Sequence, residues 1–499
     1  MKLFFMLIYP FNFCLLRAVS NMKSKYIKIG IFFLLFITIA IINSSIRLQL
    51  FGAGIEKNEI LSGKIISEIN SIFYQEKAIK IDSLMNSITS RYRFNGNVLV
   101  SYKGECIFNK PFGYSDVIRR EKLTNESVYQ LASVSKQFTA MAIMILKERN
   151  QLNYDDSVTK YIPDFPYKGI TIRMLLNHTS GLPNYMWLVD NYWKSDKVPY
   201  NDDIIKLLAN YKLELYFTPG RKFNYSNTGY IVLASVVEKI SGIAFSKFMD
   251  EEIFEPLDMR NTFVYSCLEK NSKDKLCGFA YRGKKYRLLP ETVNDGSVGD
   301  KGVYSTTEDL FKWDQALYSN ELVSYETLNE ALSGFKIRDK YDIPYGFGFR
   351  ITNKNDKKVV YHHGRWNGFR TSIYRYIEDR NTVIVLNNTS SAFNSTIIRG
   401  IQDILYDSTE TDITHDIVNT IITSGVESAI DMYNLNKPGK KIVLDTLKIS
   451  KTYQLLNNSD KPEIATKLKL FKEMYVKGEL ASNKMNEKNF FELITLNDN

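Results

Sequence analysis

Ser133 and Lys136 stand three residues apart in the stretch LASVSKQFTA, at the head of a segment whose Phe138, Met141, Met144 and Ile145 recur at helical spacing. A serine hydroxyl attacks a carbonyl only when a base takes its proton. Residues i and i+3 of a helix share a face. A lysine there, desolvated by the apolar stripe, has a lowered pKa and supplies that base in its neutral form. The start of a helix adds backbone N–H groups and a positive dipole end where an oxyanion forms. Taken alone, an S-x-x-K match is common by chance, and a lysine reaching solvent would satisfy the same spacing.

Two further stretches carry compatible chemistry. In FNYSNTGY, after Pro219-Gly220, Tyr225 and Asn227 are two residues apart. If the chain is extended there, both side chains point the same way, so a phenol and an amide face one site as proton relay and hydrogen-bond clamp. The competing reading is a turn in which Asn227 caps the helix TGYIVLASVVEKIS. In VVYHHGRWNGFR a strand runs into His362-His363-Gly364. Alternation lets only one of the two histidines face a given side. The glycine lets a substrate lie close to the strand, and a histidine beside it donates a hydrogen bond or proton. A solvated histidine pair on an edge strand fits the same residues.

In this order, S-x-x-K, Y-x-N and H-x-G resemble the serine β-lactamase and penicillin-binding superfamily. The branch that looks closest is that of class C β-lactamases with the related D-Ala-D-Ala peptidases, D-aminopeptidases, D-amino-acid amidases and esterases. The resemblance runs from about Ile81 to Leu405 and includes LLNHTSGLPNY, IFEPLDM, GVYSTTEDL and HHGRWNGF. It implies that Ser133 is acylated, that Lys136 is its proton partner and that Tyr225 is the second member of the acid–base set. It further implies that Asn227 holds Lys136 and touches the substrate amide, and that His362 and Gly364 occupy the first and last places of the third motif. The backbone N–H groups of Ser133 and Arg365 would form the oxyanion hole. His178, in LLNHTSGL, falls in a segment read as structural. The third motif departs from the family's Lys-Thr-Gly, which disfavours efficient β-lactam hydrolysis and favours a peptide, amide or ester substrate. Arg365 and Trp366 after the glycine would narrow the site or offer a charge to a substrate carboxylate. The family needs no metal or cofactor. The other function class open to this chain is a membrane-tethered sensor or binding protein with little turnover. An α/β-hydrolase fails for want of a G-x-S-x-G elbow.

These residues need a scaffold, and the pattern supplies one. KAIKIDSLMNSITSRY has helical periodicity, and the following segment alternates and turns at Lys103-Gly104 as a hairpin. Residues 150–265 read as mostly helical. YSTTEDLFKWDQAL has Ser305 and Glu308 at capping-box spacing. From 343 to 388 the stretches YGFGFRI, KVVYHHG, FRTSIYRYI and TVIVLNN read as strands. The expectation is an α+β fold: an antiparallel sheet built from both ends of the domain and flanked by helices, with an all-helical subdomain carrying Tyr225 and the site in the groove between. The domain expected over 76–406 is followed by a helical appendage over 407–499. There Ile464, Leu468, Phe471 and Tyr475 make one stripe, the helix pairs look like degenerate tetratricopeptide units, and an unknown protein is their expected partner.

The composition is that of a globular chain: 499 residues, 44% hydrophobic and 24% charged. Net charge is +10, yet no dense basic run argues for nucleic acid. Four histidines without HExxH, and four cysteines without CxxC, argue against a metal site. Cys267 and Cys277 are spaced so that they could pair. Residues 1–50 read as a leader: the apolar run Ile29 to Ile42 follows Lys23, Lys25 and Lys28, with Met22 as an alternative start. Its length of about 14 residues suits a signal-peptide core or an uncleaved anchor, both left open, with residues 51–75 as spacer. The lysines before the run place the rest outside the cytoplasm.

Overall fold

A computed structural model describes residues 74–480, apart from 266–274, 283–284, 338–340, 355–356, 407–409, 436–440, 445, 458–461 and 479. The expected leader and spacer lie outside the described residues, as does Cys267; Cys277 is an exposed free thiol. Among the described residues no helix is long and apolar enough to cross a membrane.

The fold is organised by one six-stranded antiparallel sheet. β1 (Gly96–Tyr102) and β2 (Glu105–Phe112) form the N-terminal hairpin; β3 (Arg350–Lys354), β4 (Lys357–Trp366), β5 (Phe369–Tyr376) and β6 (Asn381–Asn387) come from the far end of the domain. The order is β3-β4-β5-β6-β1-β2, closed by the β1–β6 pair with Val98 opposite Val385. The first hairpin turns at Lys103 (φ 53°) and Gly104 (φ 86°), two left-handed residues whose twist matches the strands.

The strand period of two decides which helix covers which face. Val98, Val100, Val383 and Val385 point to one side and pack with Ile81 and Met85 of α1 (74–92) and with Ile397 and Ile401 of α5 (Asn394–Leu405). Leu99, Ile384 and Leu386 point to the other side and join the larger core around α2 (Lys136–Glu148), α3 (Asn227–Ser241) and α4 (Thr307–Ala316). α2 is buried from Lys136 to Leu146, so it is the central post between sheet and helical region. The Trp313 indole donates to Gln137 Oε1 at 3.0 Å, and buried Arg375 of β5 donates through Nε to Asp314 Oδ1, pinning α4 to both. Such a buried pair fixes the helix's position more than it adds net stability.

Three local expectations shift. YGFGFRI is strand only from Arg350 onward; Gly348 at φ 78° turns the preceding residues, because a Cβ there would stand 2.7 Å from the Lys136 carbonyl oxygen. The cap of α4 is Thr306, which accepts from Asp309 N at 3.1 Å, one residue beyond the expected Ser305. LASVSKQFTA enters its helix through a 3-10 turn, Ala132–Ser135.

The C-terminal segment is helical with its own core: α6 (Thr414–Ser424), α7 (Val426–Leu435), α8 (Thr446–Asn457) and α9 (Pro462–Val476). Leu468 and Phe471 of the α9 stripe are buried there, with Ile464 and Tyr475 half-buried against them. A short parallel ladder, Glu410–Asp412 with Lys441–Val443, was not expected. The Tyr92 and Phe393 rings, 4.5 Å apart, connect this core to the sheet domain.

Candidate active site

The Ser133 turn is held from three sides. Ala132, just before the serine, has φ 51°, a conformation that costs a non-glycine residue roughly 1–2 kcal/mol and survives only where neighbours impose it. Gln130 Oε1 accepts from Ala132 N at 2.9 Å, Ser135 Oγ accepts from Val303 N at 3.1 Å, and Thr371 Oγ1 donates to Leu131 O at 2.6 Å. Gly364 completes the clamp. A Cβ on it would lie 2.2 Å from both Leu131 O and Thr371 Oγ1, so only glycine lets β4 lie against the turn. Its closest contacts are therefore with the Ser133 turn, whereas the sequence suggested an approach for substrate. Gly364→Ala is expected to destabilise the fold by about 3 kcal/mol, since backbone lies on the crowded side. A shift of the denaturation midpoint measures this, and an unchanged midpoint would refute the clamp.

Lys136 lies fully buried at the start of α2. Its Nζ is 3.3 Å from Ser133 Oγ, 2.9 Å from Asn227 Oδ1 and 2.8 Å from the Asp300 carbonyl oxygen. Burial lowers its pKa to about 8, with Asp300 opposing and Arg350 assisting. The loop before α3 delivers Tyr225 and Asn227 together because Ser226 between them is extended (φ −126°, ψ 116°). Ser226 is also the helix cap, accepting from Gly229 N at 3.2 Å. Asn227 is thereby released from capping and given to Lys136.

The Tyr225 ring packs 4.3 Å from His178, and the Lys136 ammonium position is 5.0 Å from its centroid. The Tyr225 hydroxyl is buried without a hydrogen bond of good geometry. Burial raises its pKa, against the pull of the adjacent Ser133 hydroxyl and of Arg350. His178 holds this loop twice. Its Nδ1 accepts from Ser226 N at 3.1 Å, and its carbonyl accepts from Asn224 N at 2.9 Å. Burial, then the Lys136 charge, depresses its pKa and keeps it neutral.

On β4, alternation separates the histidines. His362 turns inward: Nδ1–H donates to the His363 carbonyl at 2.8 Å, Nε2 lies 3.2 Å from the Tyr345 hydroxyl, and the ring packs 6.1 Å from Tyr225. Burial, then Lys136, holds its pKa far down, so it is a neutral group. His363 faces the opposite side, with Ser372 Oγ at 2.9 Å and Tyr374 OH at 3.0 Å. β3 pairs with β4 only as far as Tyr361. Beyond it, among the described residues, the β4 edge over 362–366 has no ladder partner on that side, which suits Arg365 N–H to an oxyanion.

The structure thus brings Ser133, Lys136, Tyr225, Asn227 and His362 together. A family model described as Beta-lactamase matches residues 81–404. The chain belongs to the beta-lactamase family. It is 37% identical over 350 residues to penicillin-binding protein 4* of Bacillus subtilis (strain 168), which covers 66% of this chain and 77% of that protein. It is 27% identical to protein flp of Staphylococcus aureus (strain MW2), spanning 63% of this chain and 64% of that one. The structure of an octameric penicillin-binding protein homologue from Pyrococcus abyssi superposes with a TM-score of 0.58 at 28% identity, covering 66% of this chain and 77% of its own.

Several neighbours of this beta-lactamase-family site left little or no signal in sequence. The Asp300 carbonyl reaches Lys136 across 164 residues, and a backbone oxygen has no residue type to recognise. Lys301, also buried, donates to Tyr185 OH at 2.8 Å and Ser297 Oγ at 3.0 Å. Arg350 stands 5.3 Å from the Tyr225 ring. Its one available cue was a lone charge in the aromatic, glycine-rich YGFGFR.

Proposed function

We propose that the protein is an exported serine hydrolase that works through an acyl-enzyme on Ser133. The observation that carries this is the valence of Lys136. A neutral amine has two hydrogens and one lone pair. Asn227 Oδ1 and Asp300 O accept the two hydrogens, which leaves the lone pair for the Ser133 hydroxyl to donate to. In acylation the Ser133 proton passes to Lys136 Nζ as Oγ bonds the substrate carbonyl carbon. The oxyanion is met by the N–H groups of Ser133 and Arg365. The bond to the leaving nitrogen or oxygen then breaks as that atom takes a proton from the set formed by Lys136 and Tyr225. Tyr225, kept a neutral phenol with its hydroxyl unpartnered, is available to donate. Water repeats the sequence to release the acid.

The substrate we propose is an amide or ester, such as a peptide ending in a D-amino acid, with β-lactams hydrolysed weakly. The neutral His362, occupied by Tyr345, offers no charge to a substrate carboxylate, which supports weak β-lactam hydrolysis and, within the proposed class, favours an ester or amide over a peptide with a free terminal carboxylate. The N-terminal run would attach or export the chain, and the C-terminal helices would meet a protein partner.

The test is to treat the full chain with a fluorescent penicillin and, separately, a fluorophosphonate, and to follow the adduct by mass spectrometry beside Ser133→Ala. A penicilloyl adduct on Ser133 that decays, and a stable phosphonyl adduct on the same serine, are expected. A permanent penicilloyl adduct together with no turnover of an activated ester would instead make the protein a sensor, and no adduct from either probe on folded protein would remove the hydrolase reading.

A further inference from the structure

On the far side of the β4–β5 hairpin, a cavity of about 960 Å³ opens between the sheet domain and helices α6 and α7. Neither Ser133, Lys136 nor Tyr225 lines it. Four arginines do: Arg91 and Arg93 from the end of α1, Arg365 from β4 and Arg370 from β5. Among the described residues, no Asp or Glu lines it.

The arrangement is costly without a guest. Arg365 and Arg370 are direct partners in the antiparallel ladder, so their side chains leave the same face, and like charges directly opposite each other are destabilising. Burial and the Arg365 charge both push the Arg370 pKa down. The nearest carboxylates stand behind other lining residues rather than pairing with these arginines. Asp295 accepts from the Trp366 indole and from Asn367 at the hairpin, and Asp431 acts on the Tyr92 hydroxyl. Arg93 is set in place by Tyr281, whose ring lies 5.0 Å from the guanidinium and whose hydroxyl accepts from it. Tyr92 and Ser391 also line the cavity, and their side-chain oxygens are buried without a hydrogen-bond partner among the described residues. A natural protein rarely leaves such groups unpaired without a reason.

We propose that this cavity binds an oxyanion, phosphate or carboxylate, carried on a larger organic molecule, with Arg365 and Arg370 as the clamp. The planar guanidinium fork matches both anions, the volume exceeds that of a lone ion, and the aromatic walls suit the remainder of the molecule.

The experiment uses the full chain at constant ionic strength, with melting temperature and calorimetric affinity measured against glucose 6-phosphate, pyrophosphate, citrate and glucose. Glucose 6-phosphate and pyrophosphate, or citrate if carboxylate is the natural group, are expected to bind saturably and raise the melting temperature; glucose is not. Arg370→Gln and Arg91→Gln should each weaken binding about tenfold, the loss of one charge-assisted contact. Without anion, Arg370→Gln should melt no lower than the parent, since repulsion is relieved. Arg91 is exposed, so its variant reports binding even if Arg370→Gln misfolds. Equal affinity in parent and variants, or no saturable binding of any anion, would overturn the proposal.

Discussion

Ser133→Ala is expected to lower kcat/KM on an activated ester by about 10⁴-fold or more, since removal of a nucleophile takes away the whole covalent route. The melting temperature should hardly move. The turn is kept by Gln130, Ser135 and Thr371, not by the Ser133 side chain, which lies 3.3 Å from Lys136 Nζ and beside the Tyr225 hydroxyl. Truncating it removes little packing, so a change within about 1 kcal/mol is expected. Steady-state hydrolysis and thermal melting on the same preparation separate the two effects. A variant that keeps a tenth of the parental rate would show that the reaction does not pass through Ser133. Equal losses of rate and stability would show a folding defect instead.

The chemistry was legible where side chains close in sequence share a direction. Ser133 and Lys136 meet because a helical turn brings i and i+3 together, and the 3-10 entry to α2 preserves that neighbourhood. Tyr225 and Asn227 meet because one extended residue separates them. The period of two predicted that His362 and His363 would part, and they do. What stayed hidden is long-range or backbone. The Asp300 carbonyl and the Tyr345 hydroxyl enter through loops whose path the local pattern does not record. The closeness of Gly364 to Leu131 O depends on how β4 lies against a turn more than 200 residues away in sequence. The Arg365–Arg370 opposition was equally out of reach, because the register of β4 on β5 is known only once the Asn367-Gly368 turn is. The sheet was readable for the opposite reason: Val98-Leu99-Val100 in β1 and Val383-Ile384-Val385-Leu386 in β6 are unbroken apolar runs, a local signal of strands covered on both faces.

Lys136→Met tests the other half of the catalytic pair. Methionine matches the stem of the lysine and leaves the apolar packing of α2 in place, but it cannot take a proton. The expected loss is about 10²–10⁴-fold in kcat/KM, the usual worth of a general base. Two opposing changes set its stability. Asn227 Oδ1 and Asp300 O lose their donor, which costs about 1–3 kcal/mol for each acceptor left buried and unpaired. The desolvation of an amine disappears at the same time, so a net change of either sign leaves the kinetic result readable as long as the variant melts cooperatively. The pH profile carries the sharper statement. Only the neutral amine accepts the Ser133 proton, and burial lowers the Lys136 pKa to about 8. Below that pH the ammonium dominates and the base is blocked; above it the amine is free. The parental kcat/KM should therefore climb as pH rises through about 8 and then level. The methionine variant should lack this limb. Tyr225 offers no substitute there, because burial moves its titration upward, away from neutrality. A parental profile that is flat between about pH 7 and 9 (on the order of one unit either side of the limb), or a methionine variant with an unchanged limb, would remove Lys136 from the role of base.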